Sequence, residues 1–196
     1  MLRREDFLQL LHPLKQSGHQ ILGPVVSQES IQWKAITTPN DLPIGWKDQQ
    51  EPESYRLEPD PSLRYINVVH GTESLKPLTF SPRETLLILD RQDHTFSAKE
   101  IHPDTKPTAV LGVRACDFAG LAIQDRIFMN GTYPDPYYQQ RRKSLFLISV
   151  NCTKGHPTCF CASMGMGPKA QQGFDLSLTE ADKDFLIENR SQTRFL

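Results

Sequence analysis

The sequence predicts a mixed α+β fold of the α/β class, with a central, partly parallel sheet and flanking helices in the back half of the chain. Three continuous apolar runs of strand length, at residues 85–89, 108–113 and 145–150, indicate strands buried on both faces. A helical pattern separates the second run from the third. Strand, helix and strand in this order form a βαβ unit, whose two strands run parallel.

The front of the chain is expected to be small and rich in β-structure. Apolar residues at helical spacing predict a helix over residues 3–15. Residues 21–26 and 31–36 have the composition of two hairpin strands, and another short strand is expected at 65–69. The acidic, proline-rich stretch 47–62 is interpreted as an extended surface segment.

The helix of the βαβ unit is predicted over residues 116–128, with Asp117 as its N-cap and Gly131 just beyond its end. Residues 133–143 are expected to form a loop or a short helix that leads to the next strand.

Two regions follow from this pattern. Residues 1–80 are predicted to form an N-terminal helix plus a β-hairpin region, and residues 81–196 an α/β region with all the cysteines. A single compact domain is the alternative, because 196 residues suffice for one core.

Composition excludes several classes of protein. The chain has 22 Lys and Arg against 23 Asp and Glu, a net charge of −1, so it lacks the basic field that nucleic acids and membrane surfaces select. No apolar run approaches the roughly 18 residues of a membrane span. The polar N-terminus is unlike a signal peptide, and we expect a cytoplasmic protein. Cysteines in such a protein point to metal or redox chemistry more than to disulfides.

All four cysteines lie in the back half, at Cys116, Cys152, Cys159 and Cys161. Cys116 and Cys152 each follow a predicted parallel strand within three residues, so both thiols are expected at the carboxyl edge of the sheet, where α/β sheets bind ligands. Cys116 also stands at a predicted helix N-terminus, which favours its thiolate.

Four thiolates suit an iron–sulfur cluster or a zinc ion. The spacing C-x35-C-x6-C-x-C fits neither a zinc ribbon nor a ferredoxin run, and four reduced, buried cysteines without metal remain an alternative.

Residues beside the cysteines add to the interpretation. Gly165 and Gly167 let the backbone approach a bulky inorganic ligand and offer N–H groups to it, although an ordinary Gly-Pro turn is also consistent. His156 is the histidine nearest to the thiols. Basic residues that could offset the charge of a cluster are Arg114, Arg141, Arg142 and Lys143, although such residues are more often solvated or paired.

Several motifs in the back half follow one another in a distinctive order. They lie at residues 112–117, 125–128, 135–138, 141–142, 151–153, 158–161, 163–165, 167–168 and 173–176. Shorter motifs precede them at residues 23–24, 41–43, 45–46, 55–57 and 82–84. In these residues the sequence resembles the family that contains the anaerobic sulfite reductase A protein and the beta, electron-transfer, subunit of cytosolic sulfhydrogenases.

The resemblance implies an electron-transfer iron–sulfur protein that links a flavin-containing reductase subunit to a catalytic hydrogenase or reductase subunit. Family members have a C-terminal portion with two C-x2-C-x2-C-x3-C-P runs for a pair of [4Fe–4S] clusters. No such run is present here, which implies the front module alone, by nature or by truncation. We therefore expect one [4Fe–4S] cluster, with Cys116, Cys152, Cys159 and Cys161 as ligands and Gly165 and Gly167 beside it.

Two alternatives remain at this point. One is a zinc-stabilised or metal-free assembly module of such a complex, without a redox role of its own. The other is a stand-alone enzyme with Cys116 as nucleophile, although the sequence places no base beside this residue. An electron-transfer component is preferred over a stand-alone enzyme.

Overall fold

A seven-stranded mixed sheet forms the centre of the computed structural model, which describes residues 1–70, 73–93 and 95–189. Its strand order is β1-β11-β10-β9-β8-β2-β3. The strands are β1 (Leu2–Arg3), β2 (Gln20–Ser27), β3 (Ser30–Ala35), β8 (Thr108–Val113), β9 (Leu145–Val150), β10 (Leu176–Glu180) and β11 (Asp184–Asn189). The mixed α+β class predicted from the sequence is confirmed.

The two central strands are β8 and β9, and every residue of both is buried. They run parallel to each other, and each has a further parallel neighbour, β2 on one side and β10 on the other. The outer pairs β2–β3, β10–β11 and β1–β11 are antiparallel. The continuous apolar runs at 108–113 and 145–150 therefore predicted the strand bounds, because burial on both faces removes polar residues.

The helical segments are a 3-10 helix over Arg4–Leu11, which continues into α1 (His12–Gln16), a 3-10 turn over Pro39–Asp41, and helices α2 (Lys76–Thr79), α3 (Ala115–Phe128) and α4 (Pro136–Lys143). The side chain of Asp135 caps α4 by accepting the N–H groups of Tyr137 and Tyr138 at 2.8 and 3.1 Å. Asp117 is not the N-cap of α3 as predicted. It lies in the first turn, and its carboxylate accepts the backbone N–H of Arg114 at 2.9 Å.

Two hairpins lie outside the large sheet: β4 (Trp46–Glu51) with β5 (Ser54–Pro59), and β6 (Leu87–Gln92) with β7 (Thr95–Glu100). The first lies within the stretch 47–62, which the sequence predicted to be an extended surface segment, and pairs its two extended halves as antiparallel strands. The second corrects the prediction of a buried strand at 85–89, because all residues of β6 and β7 are exposed.

The strand expected at residues 65–69 is irregular backbone instead. The carboxylate of Glu180 accepts the N–H groups of Tyr65 and Ile66 at 2.8 and 3.3 Å. The carbonyls of Ile66 and Val68 accept hydrogen bonds from the guanidinium of Arg114. Side chains satisfy these backbone groups, so the segment is buried without a ladder partner.

The core has two clusters of buried apolar side chains. One includes Phe7, Leu11, Leu111, Ile148 and Phe185. The other packs α3 onto the sheet and includes Val110, Val113, Phe118, Leu121 and Leu147. Val110 and Val113 belong to the same cluster because the register of β8 shifts at Gly112, a bulge with a φ of +94°. The bulge redirects the chain just before the first cysteine.

The sheet takes β2 and β3 from the region predicted at 1–80 and its other long strands from the region predicted at 81–196. The division into these two regions stays a prediction, and residues 190–196 lie outside the described residues. In the described parts of the chain, no helix has the length and apolar character needed to cross a bilayer.

Candidate metal centre

Cys116 lies in the first turn of α3, directly after the bulged end of β8. Cys152 follows the end of β9 by two residues, and its N–H donates to the carbonyl of Pro168 at 3.2 Å. Since β8 and β9 are parallel neighbours, both cysteines lie at the carboxyl edge of the sheet, as the sequence predicts.

The segment from Cys152 to Ala170, here named the cysteine loop, is fastened to the sheet edge by Asn151. The side-chain amide of Asn151 donates to the hydroxyls of Ser177 and Thr179 at 3.2 and 2.8 Å. Its carbonyl oxygen accepts the N–H of Ala170 at 3.0 Å. One buried side chain thus binds both ends of the loop to the edge beside β10.

Cys159 and Cys161 lie in turns within the cysteine loop. The N–H of Cys159 donates to the carbonyl of His156 at 2.9 Å, and the N–H of His156 donates to the sulfur of Cys159 at 3.3 Å. The N–H of Met166 donates to the carbonyl of Cys161 at 2.9 Å. The turn that follows Cys161 therefore brings the glycines of the loop back toward this cysteine.

The two glycines of the loop differ in their surroundings, although both have positive φ, +65° for Gly165 and +75° for Gly167. A Cβ on Gly167 would lie 3.2 Å from the Cβ of Ala115, 3.3 Å from the Cβ of Cys161 and 3.7 Å from its sulfur. A Cβ on Gly165 would meet nothing within 4 Å. Gly167 thus lets the loop pack closely against the start of α3 beside Cys161.

Cys152 and Cys161 lie close enough to Cys116 for their charges to affect its pKa, and Cys159 and Cys161 lie close enough to Cys152 to affect that of Cys152. Burial raises the pKa of Cys116 to about 12, and the charges of Asp117, Cys161 and Cys152 raise it further. Burial also raises the pKa of Cys152, which the charge of Arg114 lowers and those of Cys161 and Cys159 raise. None of the four cysteines forms a disulfide.

The thiolate expected at Cys116 is not favoured in the chain alone. Desolvation and the carboxylate of Asp117 act against the negative charge, and together they outweigh the hydrogen bond from the backbone of Asp117. The side chain is nevertheless accessible at the surface. A nucleophilic role for Cys116 loses support, because a protonated thiol is a poor nucleophile.

No group of three or more His, Cys, Asp or Glu side chains is arranged to hold a metal ion within residues 1–70, 73–93 and 95–189. The ligand roles of Cys116, Cys152, Cys159 and Cys161, and the contacts expected from Gly165 and Gly167, stay predictions. The donor set itself suits a thiolate-ligated group, since four cysteines supply four sulfur ligands.

Arg114 has a different environment from that of a solvated surface arginine. It is almost completely buried, and its guanidinium donates to four backbone carbonyls of residues 66, 68, 150 and 151. Arg141 and Arg142 instead pair with Glu84 and Asp125. Of the basic residues considered in the sequence, Arg114 is therefore the one with a charge shown to act on a cysteine.

His156 is also more ordered than a typical loop histidine. Its Nε2 lies 3.2 Å from Oδ2 of Asp48; the side chain of Asp48 is buried, and that of His156 is only 10% exposed. Asp48 belongs to β4 and was not identified from the sequence, because nothing in the acidic stretch distinguishes it from its neighbours. A cavity of about 30 Å³, enough for a single water molecule, lies beside this pair and is lined also by Arg114 and Cys152.

Comparison with known proteins supports the resemblance inferred from the motifs. The chain is 31% identical over 136 residues to the beta subunit of sulfhydrogenase 2 from Pyrococcus furiosus. The match covers 68% of the chain, and the chain spans 38% of the length of this relative. No family model and no solved structure matches the chain.

The chain belongs to the family of sulfhydrogenase beta subunits and sulfite reductase A-like proteins.

Proposed function

We propose that this chain is an iron–sulfur electron-transfer module of a multi-subunit oxidoreductase of the hydrogenase or sulfur or sulfite reductase type. In this proposal Cys116, Cys152, Cys159 and Cys161 hold one [4Fe–4S] cluster. The observation that supports it best is that Cys116 and Cys152 follow the adjacent ends of β8 and β9, while Gly167 lies against both Cys161 and Ala115, the residue before Cys116. The name of the relative, a sulfhydrogenase subunit, supports the class of complex.

A bound cluster would supply one-electron chemistry, and the chain would supply its position and surroundings. Gly167 keeps the space beside Cys161 free of a side chain. Arg114 places a positive charge near Cys152, where thiolates would accumulate negative charge. The partners we propose are a flavin-containing reductase subunit together with a catalytic hydrogenase or reductase subunit. A cytoplasmic location is proposed with them, because the four cysteines are free.

The first experiment is anaerobic purification followed by reconstitution with iron and sulfide. We expect about four iron and four sulfide per chain, with broad visible absorbance that bleaches on reduction. Single Cys→Ser variants at the four positions should lose most of the iron. Ser163→Ala, in the same loop, is the matched control and should retain it.

The same measurement separates the alternative function. Stoichiometric zinc without sulfide would favour a zinc-stabilised assembly module. A wild-type chain that binds neither iron nor zinc after reconstitution would contradict the cluster proposal. Binding of the partner subunits by the double variant Cys159→Ser/Cys161→Ser would show that assembly is independent of the metal.

The proposed partners are tested by size-exclusion chromatography of the reconstituted chain with candidate flavin-containing and catalytic subunits. We expect co-elution and cluster reduction by the reduced flavin subunit. A loaded chain that no flavin-containing subunit reduces would contradict the proposed place in the electron path.

A further inference from the structure

The buried guanidinium of Arg114 connects two parts of the chain that do not otherwise form a ladder. Its Nη1 donates to the carbonyls of Val150 and Asn151 at 2.9 and 3.3 Å. Its Nη2 donates to the carbonyl of Ile66 at 3.0 Å and to that of Val68. The end of β9 is thereby fastened to the irregular segment 65–69, and four buried carbonyls are satisfied by one side chain.

These hydrogen bonds also relate two cysteines. Arg114 precedes Cys116 by two residues, and its acceptors Val150 and Asn151 directly precede Cys152. The Arg114 side chain therefore links the backbone just before Cys116 to the backbone just before Cys152. A change at Arg114 would alter the spacing of the two strand ends from which both thiols emerge.

The charge of Arg114 is not balanced by a salt bridge among the residues that the structure describes. Its four acceptors are neutral carbonyls, and the carboxylate of Asp117 accepts the backbone N–H of Arg114. An unpaired buried cation is costly unless negative charge lies nearby. Four thiolates around a cluster would provide that negative charge.

We propose that Arg114 is a positioning residue that sets the spacing of Cys116 and Cys152 and stabilises, through its positive charge, the reduced form of the group held by the four cysteines. This inference rests on the proposed function. Reduction adds one electron to the bound group from an external donor, and no bond to Arg114 forms or breaks. The guanidinium stays protonated in both states.

The test compares Arg114→Gln, Arg114→Lys and Asp117→Asn with the control Arg126→Gln, an exposed arginine on the same helix. Urea unfolding of the metal-free chains measures how much the four hydrogen bonds of the Arg114 guanidinium, here called the clamp, contribute to stability. Equilibrium redox titration of the reconstituted chains, monitored by visible absorbance, measures the charge effect.

Arg114→Gln should unfold at lower urea and, at the wild-type midpoint potential, should show a roughly tenfold lower ratio of reduced to oxidised cluster. Arg114→Lys should restore most of that ratio but not the stability, because an ammonium keeps the charge without the fork of donors. Asp117→Asn should raise the ratio, and Arg126→Gln should resemble the wild type in both assays.

If both Arg114 variants unfold at the same urea concentration as the wild type, the clamp is overturned. If Arg114→Gln has the same ratio of reduced to oxidised cluster as the wild type, the charge effect is overturned. If neither Arg114 variant folds while Arg126→Gln does, the clamp is supported. The charge effect is then tested by Asp117→Asn, and an unchanged ratio of reduced to oxidised cluster in that variant would overturn the charge effect. A wild-type chain that takes up no cluster contradicts the proposed function instead, and the urea comparison still tests the clamp.

Discussion

Asp48 and His156 join the cysteine loop to the β4–β5 hairpin, with His156 Nε2 3.2 Å from Asp48 Oδ2. The same carboxylate accepts the N–H of Val69 at 2.8 Å and the side-chain amide of Gln50 at 2.7 Å. A second contact, from Thr158 Oγ1 to the Gln50 side chain at 3.2 Å, reinforces the junction. The loop that bears three of the four cysteines is therefore held from outside the large sheet.

Asp48→Ala should destabilise the chain by about 1–3 kcal/mol, because the partly buried N–H of Val69 loses its acceptor. It should also weaken cluster retention, since His156 and with it the turn at Cys159 lose their anchor. Urea unfolding and the iron content after desalting measure the two effects. Asp104→Ala, at an exposed position, is the control, and equal behaviour of the two variants would show that the junction contributes nothing.

Two leucines from apolar runs that look alike in the sequence should respond differently to truncation. Leu147 is 0% exposed in β9, and Leu89 is 62% exposed in β6. Leu147→Ala should therefore cost about 2–5 kcal/mol of unfolding free energy, through lost burial and a residual cavity. Leu89→Ala should change it by no more than about 0.5 kcal/mol. A large loss at Leu89, measured by urea unfolding, would contradict the exposed hairpin.

This pair of leucines shows what sequence patterns resolve in this protein. The runs at 108–113 and 145–150 predicted β8 and β9, whose side chains pack with α3 in one core cluster and with N-terminal residues such as Phe7 and Leu11 in the other. The run at 85–89 is apolar in the same way, but the local sequence does not show whether another element packs against the strand it forms. Apolar composition alone therefore predicted the wrong burial for β6.

Long-range polar contacts limited the prediction of the site in the same way. Glu180 satisfies the N–H of Tyr65 across 115 residues, which makes a strand at 65–69 unnecessary. Arg114 and Asp48 acquire their environments from partners in distant segments. The positions of Cys116 and Cys152 were predictable because each follows a recognisable strand, whereas the side chains that hold the backbone beside them were not.

Stability should decrease as the pH falls, in part because of His70. Burial lowers the pKa of His70 to about 3, and the charge of Arg114 lowers it too. In the unfolded chain His70 has the ordinary histidine pKa near 6.5, so it is protonated at pH values where it stays neutral in the folded chain. The unfolding free energy should therefore decline between pH 6.5 and pH 3, by at most about 1.4 kcal/mol per pH unit.

The measurement is urea unfolding of the wild type, His70→Gln and the control His12→Gln across this pH range. His12 is exposed, so its replacement should leave the slope unchanged. His70→Gln should flatten the slope even if it lowers the stability at neutral pH. An identical slope in His70→Gln and the wild type would contradict the assignment to His70.

Gly167 and Gly165 form a matched pair that separates backbone strain from crowding. Both have positive φ, so either Gly→Ala change should cost roughly 1–2 kcal/mol for the left-handed backbone. Only Gly167→Ala also places a Cβ within 3.2 Å of Ala115 and 3.3 Å of Cys161, which should add about 1–3 kcal/mol and displace Cys161. Urea unfolding should rank Gly165→Ala above Gly167→Ala in stability, and iron content after reconstitution should fall in Gly167→Ala alone. Equal iron content in the two variants would show that close packing beside Cys161 is not needed for cluster binding.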